Sequence, residues 1–577
     1  MKENFKKTKK RFLPLMSALA LAVRIAVTEN LKKIPNHMKQ KTIVPALPFL
    51  LPSLFGVGVF YAVPFAVSVF FTFTQGVAHP HFAGLQNFRE LWGTAVFRQA
   101  LGNTVLFLTV GLCLLLALAL FAALVCAKGR FAPQELALLL PMVIPVNSFA
   151  LGWQSLWGQN GAVNRLLGLA GREPVDFLNG AAAFPLLVAL YLIKNTGCVS
   201  LILAAVIRAV PQDYQDAYQL DSTSEWGYVR RVLLPLLTPT LLIGMLLGIS
   251  NYFLMFRDVY ALYGSNPPAR LYMLQHFMNG NFYQLNHQLL SAAALATVLL
   301  ITGTVWFGKH CGKNGKRERA AAIMWKKGVR FRLQKLGLNL LAACCLLPVI
   351  FLLANSLCVG GTVSLTQYED ILLYQRPFYV WFWNSAAYTA STLAVSLPVS
   401  VLAGYGFSQF SFPGRNFLLG FYVLLMLMPF QATVVSQYLT LNALGLLDTP
   451  WAVIWPNAFQ TFGVFMMTQF MASIDRELLQ AARLDGAGHG TLFFRIVLPL
   501  CRPAVFSLLL LQFLACWSLI DQPLLFLKNG ALYPLALELN SQTFGSSAYA
   551  AGAIYAVPPV LAYGLCRKYL TQGVKSL

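Results

Sequence analysis

Apolar residues in this chain come in blocks about as long as a bilayer is thick, and nothing else in the sequence constrains the fold as much. A helix crosses the hydrocarbon core with about 20 apolar residues. The stretches 101–127, 184–207 and 289–308 each reach that length. Only 11% of the 577 residues are charged and 57% are hydrophobic, whereas a soluble domain carries about 25% charged residues. The apolar residues do not alternate with polar ones, as they would over the roughly 10-residue strands of a membrane barrel. The predicted fold class is therefore an all-α membrane protein.

Twelve spans are expected. The first six lie near 44–73, 101–127, 136–157, 184–207, 236–256 and 289–308, and the second six near 338–358, 384–407, 417–438, 451–472, 500–520 and 546–566. The formal charge of +23 is concentrated between them. Residues 1–41 hold eleven Lys or Arg against Glu3 and Glu29, and residues 309–335 hold ten against Glu318 alone. Basic loops mark the cytoplasmic side, and clustered Lys and Arg attract anionic lipid. The charge thus reads as a topology signal with a membrane-lipid partner, and not as a nucleic-acid site. An even number of spans per half puts both termini and the 309–335 linker inside, together with Lys128, Arg130, Arg415, Arg567, Lys568 and Lys575.

The expected domains are a basic cytoplasmic segment at 1–43, a first transmembrane domain at 44–308, a basic linker at 309–337 and a second transmembrane domain at 338–577. Arg24 interrupts the apolar run after the N-terminal lysines, which favours an interfacial segment over a cleaved leader. Most of the ten cysteines sit inside apolar blocks, with no C-x-x-C pair, so neither a disulfide framework nor a metal site is expected. His79, His81, His276 and His287 fall in expected outer segments and read as surface residues.

The chain also repeats itself. Residues 213–235 (DYQDAYQLDSTSEWGYVRRVLLP) align without a gap on 477–499 (ELLQAARLDGAGHGTLFFRIVLP). Ala217 matches Ala481, Asp221 matches Asp485, Arg231 matches Arg495 and Pro235 matches Pro499. Both copies fall between the fourth and fifth spans of their half, on the expected cytoplasmic side. Two six-span halves of equal orientation imply a pseudo-twofold axis along the membrane normal. Each copy reads as a short surface helix and a turn. Asp213 and Glu477 suit the positive end of the helix dipole, and Ala481 and Ala482 leave a low surface that a partner can approach. Gly486 permits a turn that a residue with Cβ resists. An exposed helix of this kind suits docking into a partner's groove.

The pattern EL-x-x-AA-x-x-DGA…I-x-LP in the second copy resembles the EAA loop of binding-protein-dependent ABC importer permeases, the MetI-like superfamily. The resemblance implies two parallel six-helix repeats, with residues Asp213, Asp216, Ala217, Asp221 and Ser222 in one coupling helix. It implies Glu477, Gln480, Ala481, Ala482, Asp485, Gly486 and Ala487 in the other. Each helix would dock on one of two ATPase subunits. The first copy departs from the pattern at Asp216, Tyr218 and Ser222, and the second at Gln480. The first docking helix should therefore be bulkier or make a different contact.

From about residue 44 onward the chain resembles the permease pair of maltose- and glycerol-phosphate-type importers, here fused. LQNFRELW at 85–92, Asn103–Thr104, GAVNRLLG at 161–168, Lys194–Asn195–Thr196–Gly197 and FRDVYALYG at 256–264 carry it in the first half. WNS at 383–385, AGYGFSQFSFPGR at 403–415, LGLLDT at 444–449 and the tail KYLTQGVKSL carry it in the second. The resemblance implies a carbohydrate cargo, a periplasmic or extracellular solute-binding protein and a cytoplasmic-membrane location. Candidate pathway residues are Asn251, Tyr252 and Phe253 in the fifth span and Trp517, Ser518 and Asp521 in its counterpart. No G-x-x-x-x-G-K-[ST] phosphate loop occurs. ATP and Mg would therefore be used by the partner ATPases, with no cofactor on this chain and no enzymatic role for it. A fused permease for iron(III), thiamine or a polyamine is the alternative cargo reading. A secondary transporter would need intramembrane ionisable groups for ion coupling and gives the two loops no role.

Overall fold

A computed structural model describes residues 46–76, 81–127, 133–221, 225–284, 286–314, 327–359, 362–428, 430–539 and 542–575. The N-terminal basic segment, the centre of the 309–337 linker, His79, Lys128, Arg130 and Ser222 lie outside them. Apart from two short antiparallel pairings, Thr74–Gln75 with His81–Phe82 and Cys358–Val359 with Thr362–Val363, the regular structure is helical.

In the first half the main helices are α1 (Leu47–Thr72), α2 (Ala95–Ala127), α3 (Pro133–Val143), α4 (Val146–Trp157) and α5 (Ala183–Ala209). They continue with α6 (Gln212–Asp221), α7 (Leu234–Tyr263), α8 (Leu274–Tyr283) and α9 (His287–Asn314). The second half opens with α10 (Lys327–Leu357), α11 (Arg376–Gln409), α12 (Arg415–Leu427), α13 (Val434–Ala443), α14 (Pro450–Ala458) and α15 (Thr461–Ala472). It ends with α16 (Arg476–Leu484), α17 (Arg502–Trp517), α18 (Asp521–Phe526), α19 (Leu535–Glu538) and α20 (Ala548–Lys575).

Each of the twelve apolar blocks is helical, but the described residues contain eight helices long and apolar enough to cross a membrane, or ten if each of two bent pairs counts once. The third block is bent by 106° between α3 and the stretch Val146–Leu169 that α4 opens, at Pro145, whose missing N–H and fixed φ end the first helix. The eleventh block is bent by 71° at the junction before α17. The ninth and tenth blocks are split into α12–α13 and α14–α15. Hydropathy alone does not see such breaks, because the residues around them stay apolar.

Proline also leaves a regular mark inside helices. A π-turn precedes Pro64 (Gly58–Ala62), Pro235 (Val229–Leu233) and Pro499 (Leu492–Val497). A proline cannot donate to the carbonyl four residues back, and a widened turn accommodates the loss. The carbonyl freed by Pro64 is that of Phe60, and Gln437 Nε2 of the second half donates to it at 3.0 Å.

That bond belongs to a larger exchange, in which the first span of each half packs on the other half. α1 lies against α11, α13 and α14, with hydrogen bonds from Ser53 to Tyr422 (2.8 Å), from Tyr61 to the Pro456 carbonyl (2.8 Å) and from Ser68 to Ser436 (2.9 Å). α10 in turn packs on α3 and α4. There Gly152 permits close approach, since a Cβ at that position would sit 1.9 Å from the Pro348 carbonyl oxygen. The largest apolar core accordingly mixes Leu50, Val57 and Phe60 with Tyr405, Met467 and Phe526.

Candidate functional site

The first repeat copy folds as α6, a helix of 10 residues whose Asp213, Asp216 and Ala217 are exposed, with Asp221 at its last position. The second folds as α16, of 9 residues. Asp475 caps it, its side chain accepting from the Glu477 N–H at 3.0 Å, the arrangement that satisfies an otherwise free donor of the first turn. At the other end Gly486 has φ 84, the left-handed region that side chains with Cβ resist. The Ala487 N–H returns to the Ala482 carbonyl (3.0 Å) and the Gly486 N–H to that of Arg483 (3.1 Å), which together close a Schellman turn.

Glu477, Gln480, Ala481, Asp485 and Gly486 are exposed, and Ala482 and Ala487 half-buried. Leu479 turns into the protein, while Leu484 projects with 89% of its surface open. A leucine so exposed on a polar helix is the type of anchor a partner groove takes up.

The segment after α16 connects this helix to the bundle. Tyr405 donates to the His489 carbonyl at 3.3 Å, and the His489 ring lies 4.7 Å from Phe410. Phe493 packs edge-on to Tyr405 at 5.0 Å and to Phe49 of α1 at 5.8 Å. A push on α16 therefore reaches a second-half span and a first-half span together. In the first copy Tyr218 and Tyr228, rings 5.8 Å apart, join α6 to the turn that follows it.

At the opposite ends of the spans each half carries the same clamp. Asn103 Nδ2 donates to the Ala269 and Tyr272 carbonyls, both at 2.9 Å, and Thr104 Oγ1 accepts from the Leu274 N–H at 3.1 Å. In the second half Asn384 Nδ2 donates to the Ala531 (2.8 Å) and Tyr533 (3.0 Å) carbonyls, and Ser385 Oγ accepts from the Leu535 N–H at 2.9 Å. The Asn–Thr and Asn–Ser pairs thus fix the loops ahead of α8 and α19. Asp448 secures the neighbouring loop, accepting from the Lys528 (2.8 Å) and Asn529 (2.9 Å) N–H groups, which hold its carboxyl below the usual value. His276, expected on the surface, is instead buried, its Nδ1 accepting from the Met273 N–H.

The candidate pathway residues fall into two groups. Tyr252 and Phe253 are buried in the first-half core, with the Tyr252 hydroxyl on the Met273 sulfur at 3.2 Å, and Asn251 is half-buried beside them. Trp517 is buried as well, 5.2 Å from the Tyr555 ring and stacked on Phe513 at 5.5 Å, with Ser518 half-buried at the end of α17. Asp521 differs from all of these. It opens α18 and forms a buried ion pair with Arg257 of the first half, Nε to Oδ2 at 3.0 Å. Sequence reasoning missed Arg257, although the repeat register carries it. The offset that aligns Ala217 with Ala481 places Arg257 opposite Asp521.

Two further buried pairs lie within the first half: Lys194 with Asp258 at 2.5 Å, and Arg208 with Glu135 at 2.5 Å. In the second half Gln522, at the register position of Asp258, accepts from Asn457, which stands one residue before the register position of Lys194.

Two helical halves with membrane-length apolar helices, a repeated exposed helix and a repeated clamp describe a multi-pass membrane protein with two like halves. Residues 135–314 and 396–576 each match the family described as binding-protein-dependent transport system inner membrane component, so the chain belongs to that family and carries its domain twice. Among curated relatives, the arabinooligosaccharides transport system permease protein AraQ of Bacillus subtilis is 29% identical over 202 residues, covering 34% of this chain and 72% of AraQ. The maltodextrin transport system permease protein MdxG of the same organism is 27% identical over 243 residues, covering 39% of this chain and 87% of MdxG. Each of these relatives spans less than one half of the present chain. A solved bacterial ABC transporter that imports the acidic polysaccharide alginate matches with a TM-score of 0.40 at 19% identity, over 46% of this chain and 93% of that one.

Proposed function

We propose that this chain supplies both transmembrane halves of an ATP-driven importer that carries a neutral sugar or oligosaccharide inward. Two ATPase subunits dock on α6 and α16 from the cytoplasm, and a solute-binding protein delivers cargo to the clamped loops on the outer side. The observation that carries this reading is the repeated exposed helix, placed between matching spans of the two halves and tied through Tyr405, Phe493 and Phe49 into the bundle. ATP binding closes the ATPase pair, and rigid-body motion of the two helices opens the bundle outward.

Two features support a carbohydrate. Permease relatives named for arabinooligosaccharide and maltodextrin transport match it. The buried ionisable pairs Lys194–Asp258, Arg208–Glu135 and Arg257–Asp521 each join opposite charges, which suits an uncharged cargo better than a metal cation or a polyamine. Uptake of labelled arabino- and malto-oligosaccharides into vesicles containing the chain, its co-purified ATPase and internal ATP tests the reading. Uptake that needs ATP and the binding protein is expected. Gradient-driven uptake by the chain alone would overturn it.

A further inference from the structure

Arg257 and Asp521 occupy the same position of the two repeats. The register that pairs Asp213 with Glu477, Arg231 with Arg495 and Phe253 with Trp517 continues four residues further to pair Arg257 with Asp521. Two residues related by a twofold axis can touch only if both reach the axis. Their contact at 3.0 Å therefore marks where that axis passes through the structure. A route between two halves related by such an axis runs along it, so this ion pair lies across the route.

We propose that Arg257 and Asp521 form an axial gate, closed in this structure, which must part each time cargo passes. Both side chains are almost wholly removed from solvent, at 12% and 5% exposure. Arg257 is also steadied by its Nη1 on the Ala515 carbonyl at 3.4 Å. The two surrounding elements differ in a way that suits a gate. Arg257 stands within the unbroken helix α7, whereas Asp521 follows a break in the chain between α17 and α18. Pro523 stands where the first half has Val259, and it withholds the N–H that the Leu519 carbonyl would need to continue the helix. One jaw is thus fixed and the other is mounted on a joint.

The gate also requires that the halves differ. Identical halves would place Arg against Arg or Asp against Asp, which repel. Only two unlike halves can close the axis with opposite charges. Parting them leaves two buried charges without their counter-charge, a costly state unless polar groups replace the lost contact. The Asp521 Oδ1 oxygen finds no partner among the described residues and can accept from a hydroxyl, while the guanidinium can donate to one. A polyhydroxylated neutral solute, the cargo class proposed above, meets both needs.

The test has two arms in the full complex with its ATPase. In the first, Arg257→Cys and Asp521→Cys are combined in a Cys516→Ser background and bridged with a short bifunctional methanethiosulfonate. Bridging should be efficient without nucleotide and should fall several-fold when the ATPases are trapped with ATP and vanadate. Equal yields in both states would overturn the gate. In the second, vesicles containing Asp521→Asn are loaded with labelled sucrose, with no nucleotide present. Efflux several-fold above that of the unsubstituted protein is expected, and unchanged efflux would overturn the gate. The second arm needs neither nucleotide nor the natural cargo, so a failure of the importer reading leaves it intact.

Discussion

The first half covers its fifth span on one uninterrupted helix, α7, from Leu234 to Tyr263, whereas the second half builds the equivalent stretch from α17, a break and α18. The same contrast appears in charge. Beside α7, Asp258 forms an ion pair with Lys194, while Gln522, at the matching register position, forms a neutral hydrogen bond with Asn457. The loop clamps show no such divergence, since Asn103–Thr104 and Asn384–Ser385 make the same set of bonds. The lesson is that the halves keep their symmetry where each holds its own loops. They lose it along the axis where they meet.

Five substitutions at three places can break or sharpen this comparison. The largest effect is expected at the charged pair. Lys194→Met leaves Asp258 buried without its counter-charge, at a cost of about 3–5 kcal/mol, whereas Asn457→Leu strands one amide partner at about 1–3 kcal/mol. Unfolding in detergent should rank them in that order, and equal losses would mean that the charge difference has no energetic weight. Asn103→Ala and Asn384→Ala should each cost about 1–2 kcal/mol, and by similar amounts, because each removes two donors from the same kind of loop. A large inequality in thermal stability would break the claimed symmetry of the clamps. A loss of stability no larger than that at the clamps is expected at Gly486. An L-residue held at its φ costs about 1–2 kcal/mol, confined to an exposed turn with nothing within 4 Å of the new Cβ. Gly486→Trp should therefore insert normally and yet lose ATP-driven uptake, because the bulk falls on the docking surface. Normal uptake would remove that surface from the mechanism.

Much of this was legible in the sequence, for reasons that can be located. Apolar blocks of bilayer length announce membrane helices, because the backbone has no other way to satisfy itself in lipid. The gapless repeat around Ala217 and Ala481 gave the order of the two halves. The breaks were harder to see. Pro145, Pro429 and Pro523 each stand at or beside one of them, but proline also lies inside unbroken helices, Pro239 in α7 and Pro398 in α11, so the residue alone does not announce a break. The exchange of α1 and α10 was invisible, because an apolar face does not state which apolar face it will meet. Only the small residues at the contact, such as Gly152 against Pro348, hint at it. Tyr252 and Trp517 read as aromatic surfaces for cargo in the sequence, and the structure places both inside packed cores. Arg257 was overlooked because it was read within its own half, and its meaning lies in the residue four places beyond Trp517 in the other.

The central claim is that two cytoplasmic helices receive force from a nucleotide-hydrolysing partner. A photo-crosslinking amino acid placed at Tyr214 on α6, and separately at Leu484 on α16, in intact cells tests it most directly. The account predicts an adduct with an ATPase subunit from each site, so that both repeats are engaged. Adducts with no nucleotide-hydrolysing protein at either site, or reaction of either site with a reagent confined to the outside of the cell, would contradict it.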